Sequence, residues 1–385
     1  TYERRCIKEI YRIKLMRIFK FGGASVKDAA GVKNLVKVLV QTGTNDTLLV
    51  VSAMGKMTNA FEKIVDAYIN ESKDLEKTIT QVEQFHLTLI ADLFETENSI
   101  YSTVQTLLFK LENLLMNTTT KDYNFIYDQV VSYGELLSTK IVSAYLNKCA
   151  IKNSWLDIRT IIKTDANYRN AKVNWEATAI NCEKQIDSEK LYITQGFISA
   201  NDSGNTTTLG REGSDFTAGI LAYSLDAESV TIWKDVTGVL NADPRVFEQT
   251  VLLKNISYQE AIEMAFYGAS VIHPKTIKPL ENKRIPLYVR SFEELNNLGT
   301  KVSKGVDLFP KTPCFIVKKN QILVSISAND FSFMVEENMS HIFKLLHQYK
   351  LKVNLIQNSA ISFSICLEDT FSNFNLFYKE LHPAY

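Results

Sequence analysis

Short apolar runs alternate with long amphipathic stretches along this chain, and that alternation limits its fold more than any other feature. Runs rich in Val, Ile and Phe at 16–21, 47–52, 191–198, 229–233 and 286–290 read as strands, often ending at Gly, Ser or Asp. Between them, apolar residues recur at three- and four-residue spacing over 27–42, 58–73, 78–95, 100–116, 125–148, 214–225 and 257–268, which is helical periodicity. The pattern predicts an α/β fold with a mainly parallel sheet sandwiched by helices. Residues 58–148 are almost wholly helical and are expected to form a separate lobe, whose Met, Leu and aromatic stripes read as core.

The 385 residues exceed one average core and, at roughly 150 residues per domain, predict two or three domains. Lys301, Lys304, Gly305, Pro310 and Pro313 mark 301–314 as a linker after a catalytic region 16–300. Strand 322–328, helix 339–350, strands 352–358 and 360–367, and helix 370–381 then suggest a small α+β domain over 315–385 with an antiparallel sheet. Residues 1–15 are basic and mixed and read as a peripheral or non-native extension, with Met16 as the expected native start. No apolar segment follows them, which disfavours a secretory signal.

Charge and cysteine usage narrow the function classes. Lys plus Arg and Asp plus Glu both number 43, so neither a nucleic-acid nor a lipid surface is expected. Apolar runs such as Leu48–Val51 are far too short to span a bilayer. The cysteines at 6, 149, 182, 314 and 366 are scattered, without a CxxC or a Cys/His cluster. That argues against a structural zinc site and fits reduced thiols in a cytoplasmic protein, with a lone catalytic cysteine as a minor alternative. No protein metal site is expected.

Several loops carry chemistry. Lys20-Phe21-Gly22-Gly23-Ala24-Ser25-Val26 lies between a strand and a helix. Adjacent glycines let backbone N–H groups approach an anion, the helix N-terminus adds partial positive charge, and Lys20 adds a full one. A plain strand-to-helix turn accounts for the same glycines. Ser52 to Asn59 ends a strand in small polar residues at the edge where open α/β sheets hold ligands; the alternative is a capping turn with Thr58 at the N-cap. In Ser132-Tyr133-Gly134-Glu135-Leu136-Leu137-Ser138 a glycine interrupts a helical pattern, and Glu135 is either an acceptor for an ammonium or a surface charge.

The most informative stretch is Thr206-Thr207-Thr208-Leu209-Gly210-Arg211-Glu212-Gly213-Ser214-Asp215. It collects more polar groups than a structural turn requires. Arg211 offers a planar fork matched to a carboxylate, and Asp215 suits an ammonium or a helix cap. Lys234 and Asp235 end a later strand, and Asp243-Pro244-Arg245 presents an arginine; such a pair of loops suits a nucleotide. Tyr267 to Lys275 is a further glycine-punctuated loop in which His273 reads as a positioned structural histidine.

In this order KFGGASV, SYGELLST, QGFI with TTTLGREGSD, IWKDVTGV with DPR, and FYGASVIHP resemble the aspartate kinases of the amino acid kinase family, over about residues 16–365. The resemblance implies a kinase sheet followed by ACT-type (ferredoxin-like) regulatory modules, of which 315–385 looks like one and the second is expected to be absent or cut short. It implies phosphorylation of L-aspartate by ATP, with Mg²⁺ carried by the nucleotide, to give 4-phospho-L-aspartate on the way to lysine, threonine and methionine. Lys20, Gly22, Gly23 and Ser25 would face the transferring phosphate. Ser52, Thr58 and Ser214 would line the aspartate pocket, with Glu135 on the amine and Arg211 on a carboxylate. Asp215 would organise the amine and Lys20. Lys234, Asp235, Arg245 and Ser270 would hold the nucleotide. A homodimer and an effector such as lysine or threonine are also implied.

The chain departs from the family where members commonly carry Thr at Ala24, Lys at Ser270 and an aromatic at Leu240, with Lys275 as the nearest substitute cation. The rival readings are a kinase of another small carboxylate, such as glutamate, N-acetylglutamate or carbamate, and a catalytically silent amino-acid sensor.

Overall fold

The first apolar run forms strand β1, Arg17–Phe21, in a computed structural model that describes residues 16–187, 189–269, 272–327 and 333–382. The expected extension 1–15 and the nucleotide-site candidate Ser270 lie outside the described residues. After β1 comes a 3₁₀ turn, Gly23–Val26, and helix α1, Ala29–Thr42, capped by the Asp28 carboxylate accepting from Gly31 N at 2.8 Å. Strand β2, Thr47–Val51, is buried at every position, as a central parallel strand covered on both faces should be.

Four helices follow without a strand between them: α2, Met57–Ile69; α3, Leu75–Leu93; α4, Ile100–Asn117; and α5, Tyr123–Lys148. The first three each bury one stripe, such as Val104, Leu108, Leu111 and Leu115 on α4. Helix α5 differs, because buried side chains surround it and include polar Asp128, Gln129, Ser132, Glu135, Ser138 and Thr139. It runs unbroken through Gly134, contrary to the expected interruption. A Cβ at that position would lie 3.1 Å from Ala53 Cβ, so the glycine is a packing notch against the loop after β2.

The chain then makes β3, Ser154–Leu156; a short α6, Ile158–Ile161; β4, Lys163–Thr164; and α7, Trp175–Gln185. The run expected as one strand over 191–198 is two: β5, Tyr192–Gln195, and β6, Ile198–Asn201. The chain changes sheets at Gly196-Phe197. Strand β6 pairs with β4 in parallel and with β7, Thr206–Thr208, antiparallel, forming a small second sheet.

The remaining elements of this unit are α8, Gly213–Ser224; β8, Ser229–Lys234; β9, Asn255–Ser257; α9, Tyr258–Tyr267; α10, Pro274–Lys283; β10, Leu287–Ser291; and β11, Thr300–Ser303. The main sheet has the order β3-β5-β2-β1-β8-β10-β11-β9. It is parallel from β3 to β10, and β11 joins antiparallel with β9 beside it. Residues 301–314 are therefore not a free linker from their start: Val302 is fully buried in the sheet.

The chain divides into two compact units between Cys314 and Phe315, with Tyr267–Ala269 grouped with the second. The second contains β12, Ile322–Ser327; α11, Glu336–Gln348; β13, Lys352–Asn358; β14, Ser362–Glu368; and α12, Phe374–Leu381. Its antiparallel sheet has the order β12-β14-β13. Phe363, Ile365 and Leu367 alternate inward from β14 to meet Ile342, Leu346 and Phe377. Among the described residues no helix is long and apolar enough to cross a membrane.

Candidate active site

The carboxyl ends of β1, β2 and β8 carry Lys20, Ser52 and Lys234 to one side of a cavity of about 480 Å³. The turn after β1 sits hard against the loop after β2. A Cβ at Gly23 would fall 2.7 Å from Gly55 O and 2.9 Å from Ala53 O, so the close approach requires glycine. Lys20 Nζ pairs with Asp215 Oδ1 at 2.6 Å, and Lys234 Nζ lies 4.0 Å from Asp215 Oδ2. Asp215 is 3% exposed and Lys20 9%, so this carboxylate holds two cations where water is scarce. Ser214 lines the same wall, one residue before Asp215 in the first turn of α8.

Helix α5 forms the opposite wall. Ser138 Oγ donates to Ser52 O at 2.7 Å, and Ala53 N donates to Glu135 Oε1 at 3.3 Å. The other oxygen of Glu135, Oε2, is buried without a hydrogen-bond partner. Burial pushes this carboxyl up to about 8, against the pull of the Ala53 N–H. Near neutral pH it is therefore mainly protonated. Lys20, Arg169, Arg211 and Lys234 then outnumber Glu212 and Asp215 among the lining charges. Such a cavity suits polyanions, with one buried acceptor reserved for a cation.

Three residues other than glycine at this cavity hold left-handed backbone: Arg169 at φ 67°, Phe197 at 70° and Glu212 at 53°. Each costs about 1 kcal/mol, and such strain gathers where geometry serves function. Phe197 N is held by Thr217 Oγ1 at 2.9 Å. Glu212 occupies the cap position of α8, and its Oε2 is buried without a partner.

The three threonines of TTTLGREGSD are structural as well as polar. Thr207 Oγ1 lies 2.6 Å from Thr164 Oγ1 and 2.8 Å from Ser199 Oγ, knitting the small sheet. Thr206 N donates to Gln129 Oε1 at 3.1 Å, and Gln129 Nε2 donates to Thr206 O at 2.8 Å. Thr208 donates to Asp128 through N at 2.9 Å and Oγ1 at 2.7 Å. Asp128, pushed up to about 6 by desolvation, is thus the bolt between α5 and the strand leading into Arg211.

The sequence candidates divide clearly. Lys20, Ser52, Thr58, Glu135, Arg211, Ser214, Asp215 and Lys234 share the cavity. Thr58 lies inside α2, whose cap position is Lys56, so it is not the N-cap. Ser25 is turned inward, 3% exposed, with its hydroxyl donating to Trp233 O at 3.4 Å; it fastens the turn and does not face the cavity. Asp235 and Arg245 also lie outside the lining, and Arg245 is occupied by Asp243 through its Nε at 3.0 Å and Nη2 at 2.7 Å. His273 caps α10 by accepting from Lys275 N at 3.2 Å. Sequence reasoning missed Tyr127, Arg169, Phe197, Thr208 and Glu212 as lining residues. Phe197, Thr208 and Glu212 were signalled by adjacency to chosen residues, whereas nothing in the local pattern singled out Arg169.

The chain is similar to known proteins over most of its length. The family model described as "Amino acid kinase family" matches residues 16–291. Lysine-sensitive aspartokinase 3 of Escherichia coli is 30% identical over 360 residues, which cover 92% of this chain and 78% of that protein. Chloroplastic aspartokinase 1 of Arabidopsis thaliana is 29% identical over 383 residues, covering 94% of this chain and 65% of that one. The crystal structure of E. coli aspartokinase III with lysine and aspartate superposes with a TM-score of 0.82 at 28% identity, covering 96% of this chain and 83% of that chain. The same enzyme with aspartate and ADP gives 0.77 at 29% identity, covering 95% and 83%.

Proposed function

Because the chain belongs to the amino acid kinase family, we propose that it is an aspartate kinase, transferring the γ-phosphoryl group of ATP to the side-chain carboxylate of L-aspartate. The observation that carries this reading is the convergence, in one cavity, of the Lys20–Asp215 pair, Arg211, and Glu135 with a free buried oxygen. An acidic amino acid has one group for each: an ammonium for Glu135, a carboxylate for Arg211, and a second carboxylate to be phosphorylated beside Lys20.

The chemistry asks little covalent help of the protein. A carboxylate is already ionised near neutral pH and needs no general base. One of its oxygens forms a bond to the γ-phosphorus as the bond to the bridging oxygen breaks, and ADP leaves with the electron pair. The difficulty is bringing two anions together. Lys20, Lys234 and the backbone amides after β1 offset that repulsion in a site whose groups are fixed beforehand. Mg²⁺ enters on the nucleotide as part of that substrate. Asp215 keeps the two lysines in place without neutralising both.

By the same reading the product, 4-phospho-L-aspartate, feeds lysine, threonine and methionine synthesis in the cytoplasm. The second unit acts as an ACT-type module for an amino-acid effector such as lysine or threonine, and the protein works as a homodimer. The direct test is ADP release with Mg·ATP over a panel of aspartate, glutamate, N-acetylglutamate and carbamate, with hydroxylamine to trap the acyl phosphate. Aspartate-dependent ADP and hydroxamate are expected. Turnover only with another acid, or aspartate binding without ADP, would overturn the assignment. Arg211→Ala should raise KM for aspartate about tenfold to a hundredfold, the worth of a charge-assisted contact, and an unchanged KM would remove it from the pocket.

A further inference from the structure

Arg169 lies in a polar loop more than forty residues from its neighbours on α5, yet several side chains are arranged around it. Its backbone N–H donates to both oxygens of buried Asp128, at 3.2 and 3.0 Å. Its guanidinium carbon stands 4.4 Å from the ring centre of Tyr127 and 5.4 Å from that of Tyr123. Those rings are fixed in turn: Tyr127 OH donates to Glu62 Oε1 at 2.8 Å, and Tyr123 OH donates to Asp66 Oδ1 at 3.0 Å. The residue holds this pose at φ 67°, in a region where a side chain is strained. Among the described residues, no carboxylate lies within ion-pair distance of its guanidinium, although the group lines the cavity.

A strained backbone, a buried carboxylate anchor and an aromatic shelf spent on one unpaired cation call for a ligand. Stacking occupies the faces of a guanidinium and leaves its in-plane N–H fork free, the geometry that grips a carboxylate. The loop that bears it touches the other arginine's loop. A Cβ on Gly210 would lie 3.1 Å from Arg169 O, and Arg211 is the next residue. Lys20 and Lys234, by contrast, are engaged with Asp215 at the end of the cavity built from the sheet.

We propose that Arg169 is a second substrate-binding arginine, which closes with Arg211 on the non-reacting carboxylate of the acidic amino acid and so sets specificity for an α-carboxylate. This inference rests on the aspartate kinase reading. Asp128, Tyr123 and Tyr127 are positioning residues, which act by holding Arg169.

Arg169→Gly is the informative variant, because glycine accepts φ 67° and keeps the N–H to Asp128 while losing the fork. Steady-state kinetics should show KM for aspartate raised about tenfold to a hundredfold, with KM for ATP within about twofold of wild type. The α-amide of aspartate keeps the reacting carboxylate and the ammonium but lacks the charge in question. On it, wild type and R169G should differ by less than about threefold, an outcome a merely structural role would not give. Arg169→Lys should fall between them, and Arg169→Asn, which also tolerates this backbone, should match R169G. Wild-type-like KM for aspartate in R169G or R169N, an equal loss on both substrates, or a rise in KM for ATP instead, would overturn the inference and leave the kinase assignment standing. A wild-type protein that releases no ADP with aspartate would remove both.

Discussion

Two buried titratable groups, Glu135 in the cavity wall and His86 in the helical lobe, make an instructive pair. Each has one satisfied polar atom and one with no partner. Glu135 Oε1 accepts from Ala53 N while Oε2 is orphaned; His86 Nδ1 lies 2.7 Å from Val82 O while Nε2 is orphaned. Burial drives their acidities in opposite directions, Glu135 up to about 8 and His86 down to about 4, because both lose solvation of the charged form. They differ in what the bare atom faces. Glu135 opens onto the cavity beside Lys20 and Arg211, whereas His86 sits on α3 among Val82, Leu89 and Ile90 in an apolar core. An unpartnered polar atom therefore marks a site only where there is room and complementary charge for a ligand; elsewhere it is a cost of packing.

The sharpest way to break that contrast is to measure function and stability together. Lys20→Ala should lower kcat by about two to four powers of ten, comparable to loss of a preorganised charge contact, and should also lower the melting temperature, because Asp215 is left buried with only Lys234 at 4.0 Å. Near-normal turnover would take Lys20 out of the chemistry.

In the lobe, stability alone should respond. His86 is neutral in the fold, so the unfolded chain binds its proton first as pH falls. Stability should drop between pH 6.5 and about 4, by on the order of 3 kcal/mol, and level off below. Denaturant titrations of wild type and His86→Leu should differ in that acid limb, while KM for aspartate stays the same. Parallel pH profiles would contradict the account.

The smallest effect is the most specific. Glu135 carries its proton in the free enzyme below about pH 8, and an ammonium needs the carboxylate. KM for aspartate should therefore rise severalfold to about tenfold from pH 8 to pH 7, and Glu135→Gln should flatten that profile. Stability has the opposite slope to the histidine case. The folded carboxyl keeps its proton when the unfolded one has lost it, so wild type should lose stability relative to Glu135→Gln as pH rises from 4.5 towards 8. A flat KM profile in wild type would remove Glu135 from the ammonium.

Much of this was legible in the sequence where period and burial agree. The β1, β2 and β8 runs are apolar because both faces of a parallel strand are covered, β10 alternates buried and half-buried residues, and the stripes of α1 to α4 follow from one-sided burial. Helix α10 was missed because it is polar, opens at Pro274 and contains Pro279. Strands β5 and β6 were fused because the sheet change occurs across two residues with no polar break. At the site, Lys20, Glu135, Arg211 and Asp215 could be chosen because each stands in a turn or helix with excess polarity. Arg169 could not, since its role depends on a left-handed backbone and on partners at 123, 127 and 128. Ser25 misled because the 3₁₀ turn rotates its hydroxyl towards Trp233.

The change of sheets at Gly196 reaches beyond topology. Lys20, Ser52 and Lys234 stand at strand ends of the large ladder, while Thr208 and Arg211 hang from the small one, and the two ladders are hydrogen-bonded separately. A molecule gripped by both acts as a rivet across that seam. Its departure leaves the two plates joined by α5, the knot at Asp128 and the apolar packing of Ile198 and Leu209 against Ile18, Leu48 and Val50, so binding should register as slower hydrogen exchange along this seam.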